Sequence, residues 1–222
     1  SDLGAEAARA ALADARMEPQ EIDYIVCATM TPDHFFPGCG TILQQKLGLR
    51  PIPALDIRQQ CAGFAYGLQM VDALIRSRIA RNVLLVGTDV HTSLMPFSQR
   101  TWAVLEGREE GPISAEEFAW NSRFRHLLVL FGDGAGAMVF RASEEDDGRG
   151  ILGARLYGDG NHQDILTVPG LGSSRRPFVT AEQIAAGETV PVMDGRKVFK
   201  LAVTLMPQVT TGLLAEHGLA LA

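Results

Sequence analysis

Four stretches of this chain are almost wholly apolar, and they limit its fold more than any other feature. Residues 24–29 (YIVCAT), 82–86 (NVLLV), 127–131 (LLVLF) and 137–140 (AMVF) show no alternation of apolar and polar positions. A strand with one face in water alternates, because successive side chains point to opposite faces, whereas a strand covered on both faces does not. The segments between carry helical spacing instead. In residues 3–15, Leu3, Ala7, Ala11 and Leu12 share a face, and in residues 62–79, Phe64, Leu68, Val71 and Ile75 fall three or four apart. Strands alternating with such helices predict an α/β sheet covered by helices. A shorter strand is expected at 55–59. A short helix is expected at 41–46, after a loop at 31–38 (TPDHFFPG) that two prolines and a glycine keep out of regular structure.

Other regions read less regularly. Residues 97–123 are polar, hold Trp102 and Trp120, and carry acidic residues from Glu106 to Glu117. They separate two core strands, which predicts an inserted loop or small helical flap. GDGAG at 132–136 is expected to act as a glycine hairpin between strands 127–131 and 137–140. Residues 143–150 (SEEDDGRG) read as a solvated turn, and residues 158–189, rich in Gly, Pro and Ser, as irregular, with short strands near Leu152 and Leu166. A helix at 198–216, kinked at Pro207, followed by HGLALA, repeats the order of residues 3–29 and stops where a strand should follow. The expectation is a first unit over 1–190 and the start of a second over 191–222. On this reading the amino terminus is missing, the chain is cut inside its second repeat, and residues 1–222 alone are inactive in condensation and poorly soluble.

Composition narrows the function classes. With 46% hydrophobic residues among 222 and a net charge of −6 spread along the chain, a nucleic-acid footprint or a basic membrane-binding face is not expected. No uninterrupted apolar run reaches the roughly 18 residues of a membrane span. The three cysteines, Cys27, Cys39 and Cys61, form no CxxC pair, and no signal peptide is visible, so reduced thiols in the cytoplasm are expected. No metal site is expected from the scattered His, Cys and carboxylate positions. A G-x-S-x-G elbow is also absent from the sequence.

Cys61 stands apart because it falls between a strand and the start of a buried helix. There the first backbone N–H groups of the helix are expected to face the sulfur and favour the thiolate. Gly63, Ala65 and Gly67 are expected to let neighbouring backbone approach that helix closely. A buried, inert filler is the alternative for a cysteine among small residues.

The strings ALDIRQQCAGFAYGLQMVDALIRS, NVLLVGTDV and LFGDGAGAMVF, with MDGRKVFKLAV further on, resemble the β-ketoacyl-acyl-carrier-protein synthase III family. The resemblance covers nearly the whole chain apart from 97–123. It implies a thiolase-like, layered αβαβα fold in which Cys61 is the acyl-accepting nucleophile, with its backbone N–H serving in the oxyanion hole. It also implies an acyl-coenzyme A thioester as first substrate, no other cofactor, a malonyl unit on acyl carrier protein as second substrate, and a homodimer. Phe36 falls where the family sends a phenylalanine across the dimer interface to the floor of the acyl pocket. Phe131, Leu166, Met193 and Phe199 fall on pocket-lining positions. Arg125, with Arg100 and Arg123 as rivals, falls near an arginine over the coenzyme A adenine. Each could instead be a core or surface residue.

The family's histidine and asparagine are expected beyond residue 222. His217 ends a helix before the strand that should precede the family's His-Gln-Ala-Asn string, and His162 sits in a glycine-rich loop, so neither is assigned. GDGAGA superficially fits a dinucleotide fingerprint, but a strand rather than a helix follows it. Three alternatives stay open: a non-catalytic partner subunit, a cysteine hydrolase, and a specialised enzyme passing its acyl group to another acceptor. Arg58-Gln59-Gln60 and residues 97–123 depart from the primary-metabolic pattern and favour the last of these.

Overall fold

In a computed structural model, which describes residues 1–145 and 148–221, the chain forms two compact units. The first comprises Ser1–Asp89, Asp133–Tyr157 and Gln208–Ala222, and the second Val90–Gly132 and Gly158–Pro207.

The first unit is built on β1 (Tyr24–Ala28), β2 (Ala54–Ile57), β3 (Asn82–Asp89) and β4 (Gly134–Arg141), in spatial order β2-β1-β3-β4. The first three strands are parallel, and β4 runs antiparallel to β3. Consecutive residues of β1 and β3 point to opposite cores, which is why these strands lack alternation. On one face Ile25, Cys27, Leu84 and Val86 pack with Ala5, Ala8 and Leu12 of α1 (Asp2–Ala15) and with Cys39 and Leu43 of α2 (Cys39–Lys46). On the other, Val26, Val83 and Leu85 pack with Val71 and Leu74 of α3 (Gly63–Arg76).

Close approach of α3 to the sheet rests on glycines. A Cβ on Gly63 would lie 3.1 Å from the Ala28 Cβ, one on Gly67 2.4 Å from Leu85 Cδ1, and one on Gly87 of β3 2.9 Å from the Phe64 ring. Ala65, expected to share this role, is exposed on the opposite side of the helix.

The second unit corrects several sequence expectations. Residues 127–131 are not a strand but the end of α5 (Ala115–Leu130). At its start the Ser114 hydroxyl accepts from the Glu117 N–H (3.1 Å), while the Glu117 carboxylate accepts from the Ser114 N–H. This capping box fixes the helix start. From there to Leu130 no Gly or Pro intervenes and Val129 is the single β-branched residue, so the apolar end continues as helix. GDGAG is consequently no hairpin: its first two residues link α5 to β4, and its last three begin β4 itself. Residues 97–123 hold α4 (Gln99–Leu105) and the first part of α5.

Within 158–189 a helix, α6 (Ala181–Ala186), follows a second capping box between Thr180 and Gln183. β5 (Leu166–Thr167) pairs antiparallel with β6 (Val192–Met193), whereas the strand expected near Leu152 is absent among the described residues. The apolar centre of this unit is Met95, Leu127 and Val190, flanked by Phe97, Trp102, Phe124 and Phe131. Of the solvated turn expected at 143–150, residues 146 and 147 lie outside the described residues.

Helix α7 (Gly195–Glu216) starts at Asp194, whose carboxylate accepts from the Lys197 N–H (3.1 Å), and it runs through Pro207. It contains an 18-residue window of mean hydropathy 1.4, long and apolar enough to cross a membrane by length and composition, and none of that window is buried within this chain. The sequence reading missed it because Lys200, Thr204, Pro207 and Gln208 interrupt the apolar run. Their weight in a mean is nevertheless outbalanced by the Val, Leu and Met residues around them.

Candidate active site

The parallel strands deliver their carboxyl ends side by side. Ala28 at the end of β1 is in register with Ile57 at the end of β2 and with Gly87 near the end of β3. In open α/β sheets this edge is where ligands bind. The chain leaving β2 passes Arg58 and Gln59 and enters a 3₁₀ turn, Gln60–Ala62, that leads directly into α3. Gln60 takes a positive φ of 44°, unusual for a side chain of its size, and so turns the backbone sharply just before Cys61. Cys61 is a free, exposed thiol. The inert-filler alternative therefore does not describe it.

The helix start is less open to the sulfur than the sequence predicts. The Ala62 N–H donates to the Gln59 carbonyl (3.1 Å), and the Gly63 N–H to that of Gln60. A 3₁₀ turn uses these donors internally. Cys27 and Cys39, by contrast, are buried in the core. A hydrogen bond to Cys39, together with burial, pushes the Cys27 thiol up in pKa.

Residues leaving β1 form the exposed loop 31–38, where Phe35 and Phe36 are 76% and 80% exposed and meet edge to face with centroids 6.3 Å apart. Two carboxylates that sequence reading passed over hold this loop. Asp89 Oδ1 accepts from the Thr29 hydroxyl (3.1 Å), the Met30 N–H (2.8 Å) and the Thr31 hydroxyl (3.2 Å). The Asp56 carboxylate accepts from the N–H groups of Cys39 and Gly40 at the start of α2, the latter at 2.8 Å. A signal was available: each is an acid at or near the end of an otherwise apolar strand.

The remaining candidates fall in the second unit. Leu166 and Met193 are brought together as a register pair of the β5–β6 ribbon. Phe131 follows α5, where it is half-buried and stacks on His91 with centroids 5.0 Å apart. Phe199 on α7 is 68% exposed. Of the three arginines, Arg123 lies over the rings of Trp120 (5.0 Å) and Phe124 (5.4 Å), and Arg100 pairs with Glu109. Arg125 is exposed on α5. Neither dismissed histidine gains a catalytic setting from its own unit: His162 faces Asp159 at 3.8 Å, and the His217 ring packs on Gly153, where a Cβ would meet Nε2 at 2.3 Å.

Glu117 also joins α4 to α5, because the Ser98 hydroxyl donates to its carboxylate. That bond is the chief reason its pKa lies below the ordinary carboxylate range, outweighing slight desolvation. Beside it, Pro96, Phe97, Trp120, Asn121 and Arg123 line an open cleft of about 570 Å³.

The family described as 3-oxoacyl-[acyl-carrier-protein (ACP)] synthase III matches residues 55–107 and 113–160. The chain is 41% identical over 223 residues to β-ketoacyl-[acyl-carrier-protein] synthase III of Rhodospirillum rubrum, covering 99% of this chain and 58% of the relative. It is 38% identical to the enzyme of the same description from Neisseria gonorrhoeae, covering 98% and 57%. Its fold superposes on the crystal structure of 3-oxoacyl-[acyl-carrier-protein] synthase III from Aquifex aeolicus with a TM-score of 0.72 at 30% identity, covering 97% of this chain and 56% of that one. The chain is synthase III-like, with a thiolase-like fold.

It spans somewhat more than half the length of the relatives it matches. In this synthase III-like chain, Cys61 lies inside the first matched segment, and Arg125 and Phe131 inside the second. Phe36 precedes the match, while Leu166, Met193 and Phe199 follow it. The break at 108–112 falls within the polar stretch 97–123.

Proposed function

We propose that the protein is a condensing enzyme of fatty-acid synthesis in which Cys61 is the acyl-accepting nucleophile. The Cys61 sulfur attacks the carbonyl carbon of an acyl-coenzyme A, the carbonyl π electrons move to oxygen, and collapse expels the coenzyme A thiolate, leaving an acyl-enzyme. A malonyl thioester on acyl carrier protein then loses carbon dioxide. The resulting enolate carbon bonds to the acyl carbon, and the Cys61 sulfur departs with the electron pair. The Cys61 N–H contributes one donor to the oxyanion; those of Ala62 and Gly63 are engaged in the turn. Phe36, Phe131, Leu166, Met193 and Phe199 are assigned to the acyl pocket and Arg125 to coenzyme A. With this reading go a homodimer, a cytoplasmic location, and acyl carrier protein as partner.

The observation that carries the reading is an exposed, free thiol at the carboxyl edge of a parallel sheet, inside the segment matched by the synthase III family. The test is intact-mass spectrometry of the complete protein incubated with a short acyl-coenzyme A. The wild type should gain the mass of one acyl group and Cys61→Ala should gain none. Equal labelling of both would remove Cys61 as the nucleophile.

A further inference from the structure

The loop 31–38 is fastened at both ends and open at its tip. At its start, one oxygen of Asp89 gathers three donors from Thr29, Met30 and Thr31, and the Thr31 N–H donates back to the Thr29 hydroxyl (3.1 Å). At its end, Asp56 binds the first two N–H groups of α2. Gly38 and Gly40 admit that carboxylate because neither has a side chain: a Cβ would fall 2.7 Å from Asp56 Oδ2 at Gly38 and 2.8 Å from Oδ1 at Gly40. Within the loop, Asp33 accepts from the Cys39 thiol (3.2 Å). The two anchoring acids stand on β2 and β3, the strands that flank β1 on either side, so the mount inherits the rigidity of the sheet. Burial contributes little to holding the tip, since Phe35 and Phe36 are mostly exposed. Within one copy of the chain the loop is therefore held by charge-assisted bonds, those at its base and those from the Ser1 ammonium to Asp33.

We infer that Asp89 and Asp56 are positioning residues that hold Phe36 at a fixed height, and so set the acyl-chain length the enzyme accepts. The inference rests on the assignment of Phe36 to the acyl pocket made above. Removing Asp89 leaves the Met30 N–H and two hydroxyls without their common acceptor. The loop then samples several positions, and the ring no longer imposes a single pocket depth. Asn keeps an amide oxygen where Asp89 Oδ1 stands, so it should preserve most of the mount, whereas Ala should not.

The experiment loads Cys61 of the complete protein with acetyl-, butyryl-, hexanoyl- and octanoyl-coenzyme A and measures the initial rate for each by intact mass. Limited proteolysis of residues 31–38 serves as a second readout. Asp89→Ala should change the hexanoyl-to-acetyl rate ratio by about tenfold, the scale of losing one charge-assisted hydrogen bond, and should speed cleavage in the loop. Asp89→Asn should restore most of both. The double variant with Phe36→Ala should shift the ratio no further than Phe36→Ala alone. Should Asp89→Ala fail to fold, Thr31→Val, which removes one donor of the same cluster, should give the same change in smaller measure.

A ratio that shifts in Phe36→Ala but not in the Asp89 and Thr31 variants would overturn the inference and leave the Phe36 assignment standing. If neither shifts while Cys61 still loads, the Phe36 assignment falls and this inference with it. If wild-type Cys61 does not load at all, the proposed function fails. Proteolysis then decides whether Asp89 anchors the loop: faster cleavage in Asp89→Ala supports the anchor, and unchanged cleavage refutes it.

Discussion

Replacing Gly67 with alanine should destabilise the protein although alanine is the better helix former. The perturbation is one methyl group, and the structure shows where it goes: 2.4 Å from Leu85 Cδ1 and 3.3 Å from Cδ2. Carbon atoms in good contact sit about 3.5–4.0 Å apart, so Leu85 must yield by more than an ångström. It has little room to do so, being fully buried among Val26, Val71, Leu74 and Val83. Alanine in place of glycine inside a helix gains roughly 0.5–1 kcal/mol, whereas overpacking a core costs roughly 1–3 kcal/mol. The second effect wins, by about 1–2 kcal/mol. Urea denaturation of the complete protein, compared at constant m-value, measures the difference. A double-mutant cycle identifies its cause. Leu85→Ala alone should cost about 2–5 kcal/mol, and in the Gly67→Ala background clearly less, because the new methyl occupies part of the vacated space. A coupling of at least about 0.5 kcal/mol is expected. Gly67→Ala at or above wild-type stability, or strict additivity in the cycle, would refute the argument that Gly67 is kept for close approach of α3 to β3.

Three further outcomes are expected. Phe36→Ala should widen acyl acceptance toward longer or branched chains on Cys61 while changing stability by no more than about 0.5 kcal/mol, since the ring is 80% exposed; a large fall in melting temperature with an unchanged chain profile would make it structural. Leu84→Ala, at a fully buried position of β3, should cost about 2–5 kcal/mol, whereas Met138→Ala on β4, 47% exposed, should stay within about 0.5 kcal/mol by the same melts. Glu117 has a folded-state pKa below its unfolded value, so its contribution to stability is complete above the ordinary carboxylate pKa of about 4.3 and is lost as pH falls through the folded value. Glu117→Gln should therefore flatten the acid limb of a melting-temperature profile below about pH 4, and an unchanged limb would show that its bonds to Ser98 and Ser114 do not matter to the fold.

The sheet was legible because its central strands, β1 and β3, are buried on both faces, and a residue such as Val26 or Leu85 has to be apolar whichever core it meets. Helices α1 and α3 were legible through their spacing, and Cys61 through its place between a strand and such a helix. What escaped was decided by polar detail. The run LLVLF reads as a strand by apolarity alone, but the state of Leu127 is set thirteen residues earlier, where Ser114 and Glu117 close a capping box. That signature, and the one at Thr180 and Gln183, stands in the sequence, and the cap outweighs the apolarity of the run. The roles of Asp89 and Asp56 were harder to see, because an acid near the end of an apolar strand does not reveal which loop supplies its donors. Only the parallel register of β1 with β2 and β3 brings the partners together.

That same register explains why a nucleophile and an exposed loop can share one mechanical frame. Cys61 follows β2, the loop bearing Phe36 follows β1, and the acid that ties that loop down ends β3. All three lie beyond the one edge where Ala28, Ile57 and Gly87 stand side by side. α3 continues directly from the Cys61 turn and is pressed onto the same strands through Gly63 and Gly67. A disturbance of any of these strands would therefore reach both the thiol and the loop, whereas a change on the outer surface of α1 would reach neither. The arrangement divides labour by distance from the core: packing of about organic-crystal density fixes the strand ends, and hydrogen bonds to two carboxylates carry that order outward to an aromatic tip that burial alone would leave loose.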